Sequence, residues 1–294
     1  MTYGLLIVDK PIGPTSHDVV DRVRKLCGLR RVGHTGTLDP LASGVLVLCL
    51  GRATRLAEYL TGHGKRYLAG VRLGIETDTY DAGGEITERR PVESDRTSIE
   101  AALARFRGRI LQRPPAYSAI RHLGRRAHRL AREGRTVELE PRPVEFSRLE
   151  LKQCDPPDLV LDIQCSSGTY IRSLAHDLGA LLGCGAHLSS LRRTACGPFD
   201  EAQAVPLEAL EQDADWRRHL LPVEAGLVDW PALEVDEAEA HLLRTGRVVP
   251  FRDGARPLTG DHRLYRAVAK PGGLVAVVVP DHEQSAFRSR KVVG

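Results

Sequence analysis

The residues best suited to chemistry lie in the stretch Arg31–Gly51, which reads RVGHTGTLDPLASGVLVLCLG. It places Asp39 and Pro40 in a loop rich in Gly and Thr, directly before the apolar segment Val45–Leu50. Pro40 biases Asp39 away from helical backbone, so we expect the carboxylate on an extended or turn segment. A carboxylate on a loop that a buried strand braces is a common way to build a reactive site. The alternative is that Asp39 only closes a turn.

Two further residues have types that suit work on a nucleobase. Tyr67 lies near the start of the alternating segment Lys65–Leu73, and Arg172 lies in the first turn of a helix predicted to run through Leu182. A cation at a helix N-terminus opposes the helix dipole, so Arg172 needs a partner, and a buried carboxylate would serve. An extruded base needs an aromatic neighbour and polar groups to hold it. A half-buried strand aromatic and a surface arginine remain the alternatives.

The elements that position these residues follow from hydrophobic periodicity and capping signals. Apolar or alternating segments predict strands at Tyr3–Asp9, Lys65–Leu73, Asp158–Ser166, Ser189–Thr194, Tyr265–Val268 and Leu274–Val279. Helical patterns predict helices at His17–Leu26 (with Ser16 as N-cap), Ala53–Thr61, Thr97–Arg107, Leu207–Gln212 and Leu233–Arg244.

Three other segments are interpreted as irregular. Gly74–Gly84 carries Asp78 and Asp81 but lacks the acid spacing of a calcium loop, which indicates a solvated turn. Leu220–Trp230 is interpreted as a linker. The last basic residues, 288–291, are interpreted as a frayed tail.

Arginine is concentrated in one segment. Ten arginines between Arg105 and Arg135 face one acid, Glu133, although the whole chain has a formal net charge of only +4. Such a block favours a phosphate-rich partner such as nucleic acid, because guanidinium groups bind phosphates bidentately. The alternative is a solvated helix face or disorder, and Leu123–Glu133 has the pattern of an Arg-rich helix.

Composition narrows the class of protein. The 294 residues are 42% hydrophobic and 27% charged, which is typical of a globular protein with room for two domains. The six cysteines show no C-x-x-C pair and no metal-ligand spacing, and no G-x-G-x-x-G follows a strand. The sequence shows no signal-peptide pattern and no apolar segment of membrane-spanning length. We therefore expect a reduced, cytoplasmic protein.

Several motifs together resemble one family. GHTGTLDPLASGVL resembles the catalytic motif of the TruB-type tRNA pseudouridine synthases, which modify uridine 55 of the T arm. The family's other blocks are matched in order by KPIGPTS (Lys10–Ser16), KRY (Lys65–Tyr67), RPPAYSA (Arg113–Ala119), GTYIRSLAHDLG (Gly168–Gly179) and AHLSSLRRTACGPF (Ala186–Phe199). The resemblance covers nearly the whole chain, and the ordered set of motifs is far more specific than any one of them.

The resemblance implies a role for particular residues. The family's catalytic aspartate falls on Asp39, its active-site tyrosine on Tyr67, and the arginine that pairs with the aspartate on Arg172. His34 matches a histidine that helps to displace the target base, and Lys10 belongs to a motif that supports the catalytic loop. The substrate- and RNA-binding positions expected in all are His34, Lys10, Tyr170, Leu191, Arg113, Arg125, Arg126 and Arg129.

Among these, Tyr170 and Leu191 match pocket-lining positions, and Arg113–Arg135 corresponds to a mobile thumb that closes on RNA. One departure lies in the thumb, where His128 stands at a position at which the family commonly has a tyrosine.

The fold implied by the resemblance is α+β. A catalytic domain at residues 1–228 would hold a mixed, largely antiparallel sheet with flanking helices and a thumb-like basic insertion at about 105–140. A small, β-rich, PUA-like RNA-binding domain would follow at 229–294. The implied reaction isomerises uridine 55 of tRNA to pseudouridine with base flipping, and it needs no cofactor or metal. No membrane association is expected, and the chain is expected to act as a monomer without a protein partner.

Three rival functions stay open from the sequence. An RNA-binding or chaperone module without catalysis would use the basic block and the terminal domain. A guide-RNA-dependent relative works inside a ribonucleoprotein, although the long basic tails expected of that relative are not seen. A nucleotide-dependent RNA methyltransferase would need the dinucleotide motif that the sequence lacks.

Overall fold

The chain was analysed in a computed structural model. The structure describes residues 3–118, 120–122, 125–127, 130, 133, 139–252, 257, 263–270 and 272–293. His128 and Arg129, the side chain of Arg126, and most of the expected Leu123–Glu133 helix lie outside the described residues.

The strands, numbered in chain order, account for most of the regular structure. They are β1 (Gly4–Lys10), β2 (Val32–His34), β3 (Ala42–Leu50), β4 (Lys65–Leu73), β5 (Ile75–Thr77), β6 (Ile86–Arg89), β7 (Gly108–Gln112), β8 (Arg121–His122), β9 (Arg125–Arg126), β10 (Arg142–Asp155), β11 (Asp158–Cys165), β12 (Ala186–Cys196), β13 (Phe199–Asp200), β14 (Val205–Pro206), β15 (Ala232–Val235), β16 (Val249–Pro250), β17 (Tyr265–Ala269), β18 (Gly273–Asp281) and β19 (Ala286–Val292).

The α-helices lie between these strands, at Ser16–Cys27, Ala57–Thr61, Arg96–Ala104, Ile171–Leu182, Leu207–Gln212 and Glu237–Arg244. Short 3-10 helices occur at Gly51–Leu56, Glu201–Gln203, Trp216–His219 and Val223–Leu227.

One ten-stranded sheet forms the centre of the fold. Its strands run in the order β14-β1-β3-β12-β4-β11-β10-β7, with β2 beside β3 and β13 beside β12. The β1–β14 and β3–β12 pairs are parallel and the other pairs are antiparallel. The expected mixed, largely antiparallel sheet is therefore confirmed. At its centre β12 lies between β3, which follows Asp39, and β4, which carries Tyr67.

The two faces of the sheet are covered differently. Helices Ser16–Cys27, Arg96–Ala104 and Ile171–Leu182 pack on one face and bury residues such as Val20, Leu103 and Leu178. The other face of β1 and β3 packs against 51–60, 223–227 and the C-terminal strands.

The C-terminal part is a small β-rich domain. Strands β15-β17-β18-β19-β16 form a five-stranded sheet, and helix Glu237–Arg244 packs on it with its own apolar core. Leu274, Val277 and Val293 also join a cluster with Val45 and Val47 of β3. The domain therefore shares a core with the strand that leads out of the Asp39 loop.

Several local predictions were wrong, and each has a physical reason. Leu233–Arg244 divides into β15 and a helix because Asp236 forms an N-terminal capping box with Glu239. The expected tail is strand β19, which pairs along β18. Residues 220–230 are not a free linker, since Leu221 bonds to Leu5 and Leu227 is buried.

Two expected helices also differ. The first helix is capped by Thr15 rather than Ser16, in a capping box with Asp18. Within the expected helix Leu123–Glu133, the described segment Arg125–Arg126 is instead a short strand that pairs with Arg121–His122.

All six cysteines are free thiols. Burial raises the pKa of Cys49 to about 12 and that of Cys165 to about 11, so these thiols stay protonated. Within the described ranges, no helix combines the length and apolar character needed to cross a membrane.

Candidate active site

The Asp39 loop is held against the first helix by one hydroxyl. Ser16 Oγ accepts a hydrogen bond from the Leu38 amide at 2.7 Å and donates to the Leu38 carbonyl at 2.9 Å. The amide of Gly13 also donates to the carbonyl of Pro40 at 2.8 Å. The KPIGPTS segment thus fixes the backbone on both sides of Asp39, which agrees with its expected role in supporting the loop.

Arg172 is the main partner of the Asp39 side chain. Its Nε lies 3.0 Å from Asp39 Oδ2, and the arginine is only 7% exposed, whereas 36% of the Asp39 side chain is exposed. The expectation that this helix-terminal arginine needs a carboxylate is confirmed. The pair leaves Asp39 reachable from solvent while its orientation is set from the protein side.

The same guanidinium binds a second carboxylate. Nη1 of Arg172 lies 3.5 Å from Asp81 Oδ2 and donates to the Thr79 carbonyl at 3.2 Å. Nη2 donates to the Tyr117 carbonyl at 3.0 Å. Arg172 therefore joins the Asp39 loop, the 78–84 turn and the start of the basic block in one network.

The interpretation of Gly74–Gly84 as a wholly solvated turn was wrong. Asp78 and Glu85 are exposed, but Asp81 is buried and accepts hydrogen bonds from Thr79 Oγ1 and the Gly83 amide. The composition of the turn does not predict that Asp81 is buried, because its cationic partner, Arg172, lies on a helix far along the chain.

A second buried arginine lies beneath the loop. Arg193 on β12 is 1% exposed and donates to the carbonyls of Val45 (2.7 Å), Gly36 (3.1 Å) and Thr37 (3.4 Å). Gly44 lets β3 pass close to it, since a Cβ there would lie 2.2 Å from the Arg193 carbonyl oxygen. Within the described part of the chain, Arg193 has no carboxylate partner.

Tyr67 contacts Arg193 rather than the Asp39–Arg172 pair. The two residues lie opposite each other on β4 and β12, and their side chains share a hydrogen bond. Tyr67 is buried, which raises its pKa to about 12, so the hydroxyl is protonated at neutral pH. Arg193 thus links the tyrosine to the backbone of the loop that carries Asp39.

Lys10 does not offer its charge to solvent. It is fully buried, and its ammonium donates to the carbonyls of Ala42 (2.7 Å) and Pro11 (2.8 Å). Burial lowers the pKa of Lys10 to about 8, although nearby Asp39 acts in the opposite direction. The assignment of Lys10 as an RNA contact is therefore corrected, because its ammonium is enclosed by backbone carbonyls.

His34 lies at the end of β2, at the edge of the loop. Its Nδ1 accepts a hydrogen bond from the Gly36 amide at 3.3 Å. Burial lowers the pKa of His34, and the charge of Arg193 lowers it further. The imidazole is therefore favoured as the neutral form at neutral pH.

Tyr170 and Leu191 lie on two different elements, Tyr170 just before helix Ile171–Leu182 and Leu191 on β12. The Gln112 side chain binds the Tyr170 backbone at both N and O, at the start of helix Ile171–Leu182. Tyr170 lines a cleft of about 350 Å³ together with Ile120, Arg142, Pro143, Val144, Ser167 and Gly168. Leu191 is buried in β12 and pairs with Ala42, the first residue of β3.

The described thumb arginines lie on the surface. Arg113 is exposed, and its carbonyl accepts a hydrogen bond from Ser173 in helix Ile171–Leu182. Arg125 is exposed and pairs with Glu133. The structure therefore brings Asp39 and Arg172 together and links Tyr67 to the Asp39 loop through Arg193. The described thumb arginines, Arg113 and Arg125, lie on the protein surface.

The sequence does not place Arg193, Asp81 or Ser16 in the site. Arg193 sits in an alternating strand where its position next to Arg192 gives no sign of which arginine points inward. Among the residues that the structure describes, no three His, Cys, Asp or Glu side chains form a group able to hold a metal ion.

Comparison with known proteins defines the class first. A model described as "TruB family pseudouridylate synthase (N terminal domain)" matches residues 24–171, and one described as "tRNA pseudouridylate synthase B C-terminal domain" matches residues 172–228. The fold is thus that of the pseudouridylate synthases. The chain belongs to the TruB family.

Curated relatives agree with this assignment. The chain is 48% identical over 267 residues to the tRNA pseudouridine synthase B of Ectopseudomonas mendocina, covering 89% of this chain and 87% of the relative. It is 45% identical to the protein of that name from Pseudomonas aeruginosa, covering 84% of this chain and 83% of the relative.

Solved structures share the fold at lower identity. One is a chain of an H/ACA RNP bound to a substrate RNA containing 2′-deoxyuridine, with a TM-score of 0.74 and 26% sequence identity. The match covers 99% of this chain and 85% of that chain. Another is a chain of a Cbf5-Nop10-Gar1 complex, with a TM-score of 0.75 and 28% identity over 99% of this chain and 85% of that chain.

Proposed function

We propose that this chain isomerises uridine 55 in the T-loop of tRNA to pseudouridine, alone and without a cofactor. The observation that carries the proposal is the Asp39–Arg172 pair, at 3.0 Å, on the loop whose sequence matches the family's catalytic motif. Support comes from the 48% identity to a relative named tRNA pseudouridine synthase B.

The reaction needs no group from outside the chain. The N1–C1′ bond of uridine breaks, the base rotates, and a C5–C1′ bond forms. The C5 proton is released and N1 gains a proton, so atoms and electrons balance without an oxidant or a hydrolytic water. The target nucleotide must first leave the loop stack to reach a protein side chain.

Asp39 acts in the ionised form, either by attacking C1′ or by taking a proton from C2′. Arg172 favours that form by charge pairing and fixes the direction of the carboxylate. Because 36% of the Asp39 side chain is exposed, an extruded nucleotide can reach it. Tyr67 borders the base, and His34 at the edge of the loop helps to displace it from the T-loop.

RNA is held by two regions. The basic insertion at about 105–140 supplies exposed guanidinium groups, including those of Arg113 and Arg125. The domain at 229–294 is a PUA-like RNA-binding domain. Its shared core with Val45 and Val47 supports a fixed distance between its surface and Asp39.

A guide-dependent activity is the second candidate, since the similar solved structures include a chain of an H/ACA RNP bound to substrate RNA. Identity to those chains is 26–28%, against 45–48% to the proteins named tRNA pseudouridine synthase B. This difference supports a chain that acts on tRNA directly. Action in the cytoplasm and as a monomer belongs to the same proposal.

The test is release of tritium from an unmodified tRNA transcript that carries 5-tritiated uridine. Wild-type protein, with no cofactor, guide RNA or second protein added, should release one equivalent per tRNA. Asp39→Asn should lower the rate by at least about a thousandfold, the scale expected for an essential group, and should keep its affinity for tRNA.

A transcript with cytidine at position 55 is the matched control and should release no label. Binding without release by wild-type protein would support the binding-module alternative. Release from the cytidine-55 transcript would refute the assignment to position 55. Release only after an H/ACA guide RNA is added would support the guide-dependent alternative.

A further inference from the structure

Tyr80 is a bulky residue in an unusual conformation beside the proposed active site. Its φ is +64°, in the left-handed region that side chains other than glycine rarely adopt. It lies in the turn between Thr79 and Asp81, both of which bind Arg172. A strained residue persists only where surrounding contacts hold it in place.

The contact that holds Tyr80 comes from the helix that carries Arg172. The Tyr80 ring stacks on His176 with centroids 3.8 Å apart and planes 9° apart. His176 lies one turn after Arg172, so a single helix face touches the turn through an aromatic ring and a guanidinium. Within the described residues, the buried Nδ1 of His176 has no hydrogen-bond partner, so stacking is its main contact with the turn.

The opposite side of the turn is tied to the central sheet. Leu188 of β12 donates to the Tyr80 carbonyl at 3.0 Å and accepts from the Ala82 amide at 2.9 Å. The turn is thus held between β12 and helix Ile171–Leu182. On the helix side, the turn is contacted by the Tyr80–His176 stack and by the bonds from Arg172 to Thr79 and Asp81.

We propose that the Tyr80–His176 stack is a positioning element that holds Thr79 and Asp81 against Arg172, and thereby sets the direction of the Asp39 carboxylate. The inference rests on the proposed function and adds two positioning residues to it. Neither ring touches Asp39 in the structure, so the stack acts through Arg172 and is not catalytic.

The backbone of Tyr80 supplies a sharp test. Tyr80→Gly removes the ring and also relieves the left-handed strain, so loss of stacking and relief of strain offset each other in stability. We expect a melting temperature within about 3 °C of wild type. The single-turnover rate of tritium release should nevertheless fall about tenfold or more, because small misplacement of a catalytic group is costly. Affinity for tRNA should stay within about twofold of wild type, since the thumb and terminal domain are untouched.

Conservative variants keep the rings and should restore the rate. Tyr80→Phe and His176→Phe retain a stacked aromatic pair and are expected within about twofold of wild type. His176→Ala breaks the stack from the other side and should match Tyr80→Gly in rate. If Tyr80→Gly fails to fold, His176→Ala carries the test instead.

A double-mutant cycle separates positioning from a general structural effect. In an Asp81→Asn background, Tyr80→Gly should lower the rate little further, because both changes act on the same contact with Arg172. The proposal is overturned if Tyr80→Gly and His176→Ala keep the wild-type rate. It is also overturned if Tyr80→Gly lowers the rate by the same factor in the wild-type and Asp81→Asn backgrounds. If wild-type protein releases no tritium, the proposed function itself is refuted.

Discussion

Two buried arginines flank the Asp39 loop, and they bind opposite kinds of partner. Arg172 contacts two carboxylates, those of Asp39 and Asp81, together with two carbonyls. Arg193 binds only neutral groups, three carbonyls and the Tyr67 hydroxyl, among the described residues. The first arginine therefore sets the charge and direction of a reactive group, whereas the second sets the shape of the loop.

The difference has an energetic reason. A buried cation without an anion is costly, and hydrogen bonds to carbonyl dipoles offset only part of that cost. Arg193 supplies hydrogen-bond donors to the loop carbonyls of Gly36 and Thr37. Arg172 forms ion pairs with two carboxylates, so its removal would leave the buried carboxylate of Asp81 without a cation.

Of the two buried arginines, Arg172 should give the larger loss of rate when it is replaced by lysine. Lysine keeps the charge but loses the planar fork that reaches Asp39, Asp81 and Tyr117 together. The single-turnover rate should fall at least about a hundredfold, with affinity for tRNA unchanged. Tritium release and filter binding measure the two quantities, and Arg96→Lys on an exposed helix position serves as the matched control. A rate within about threefold of wild type would show that the fork is not needed.

The same substitution at Arg193 should act mainly on stability. Arg193→Lys leaves one or two buried carbonyls without donors, which should lower the free energy of unfolding by about 2 kcal/mol. The rate of the folded protein should fall less than about tenfold, because Asp39 keeps its partner. Urea unfolding and tritium release on the same samples test this. If Arg172→Lys and Arg193→Lys lower the rate of tritium release and the free energy of unfolding in the same proportion, the proposed difference between the two arginines is wrong.

The sequence predicted the regular elements better than the contacts between them. Lys65–Leu73 and Leu207–Gln212 have the predicted bounds, because strand alternation and helical periodicity are local properties. The need of Arg172 for a buried carboxylate also followed from a local property, the helix dipole. The choice of Asp39 as that carboxylate came from the family resemblance, and the structure bears out the pairing.

Tertiary partners account for what the sequence missed. The sequence around Asp81 predicts a solvated turn, because the cation that pairs with Asp81, Arg172, lies about 90 residues away in the chain. The sequence predicts Ser16 as the N-cap of the first helix. In the structure Thr15 caps that helix, and the Ser16 hydroxyl binds the backbone of Leu38.

The last prediction concerns Lys10, a third buried cation whose described hydrogen bonds, like the loop contacts of Arg193, go to carbonyls, but which can lose its proton. The pKa of Lys10 is about 8 in the folded protein against 10.5 ordinarily, so between these values the unfolded chain binds more protons. The stability that Lys10 contributes therefore rises with pH from about 8 to 10.5, by about 1–3 kcal/mol.

Urea unfolding at several pH values should show this as a difference between wild type and Lys10→Met that grows in favour of wild type above pH 8. Lys25→Met, at an exposed lysine, is the matched control and should run parallel to wild type. A Lys10→Met curve parallel to wild type would mean that the folded protein holds Lys10 charged throughout this range. The carbonyls of Pro11 and Ala42, together with the charge of nearby Asp39, would then be enough to offset the burial of the ammonium.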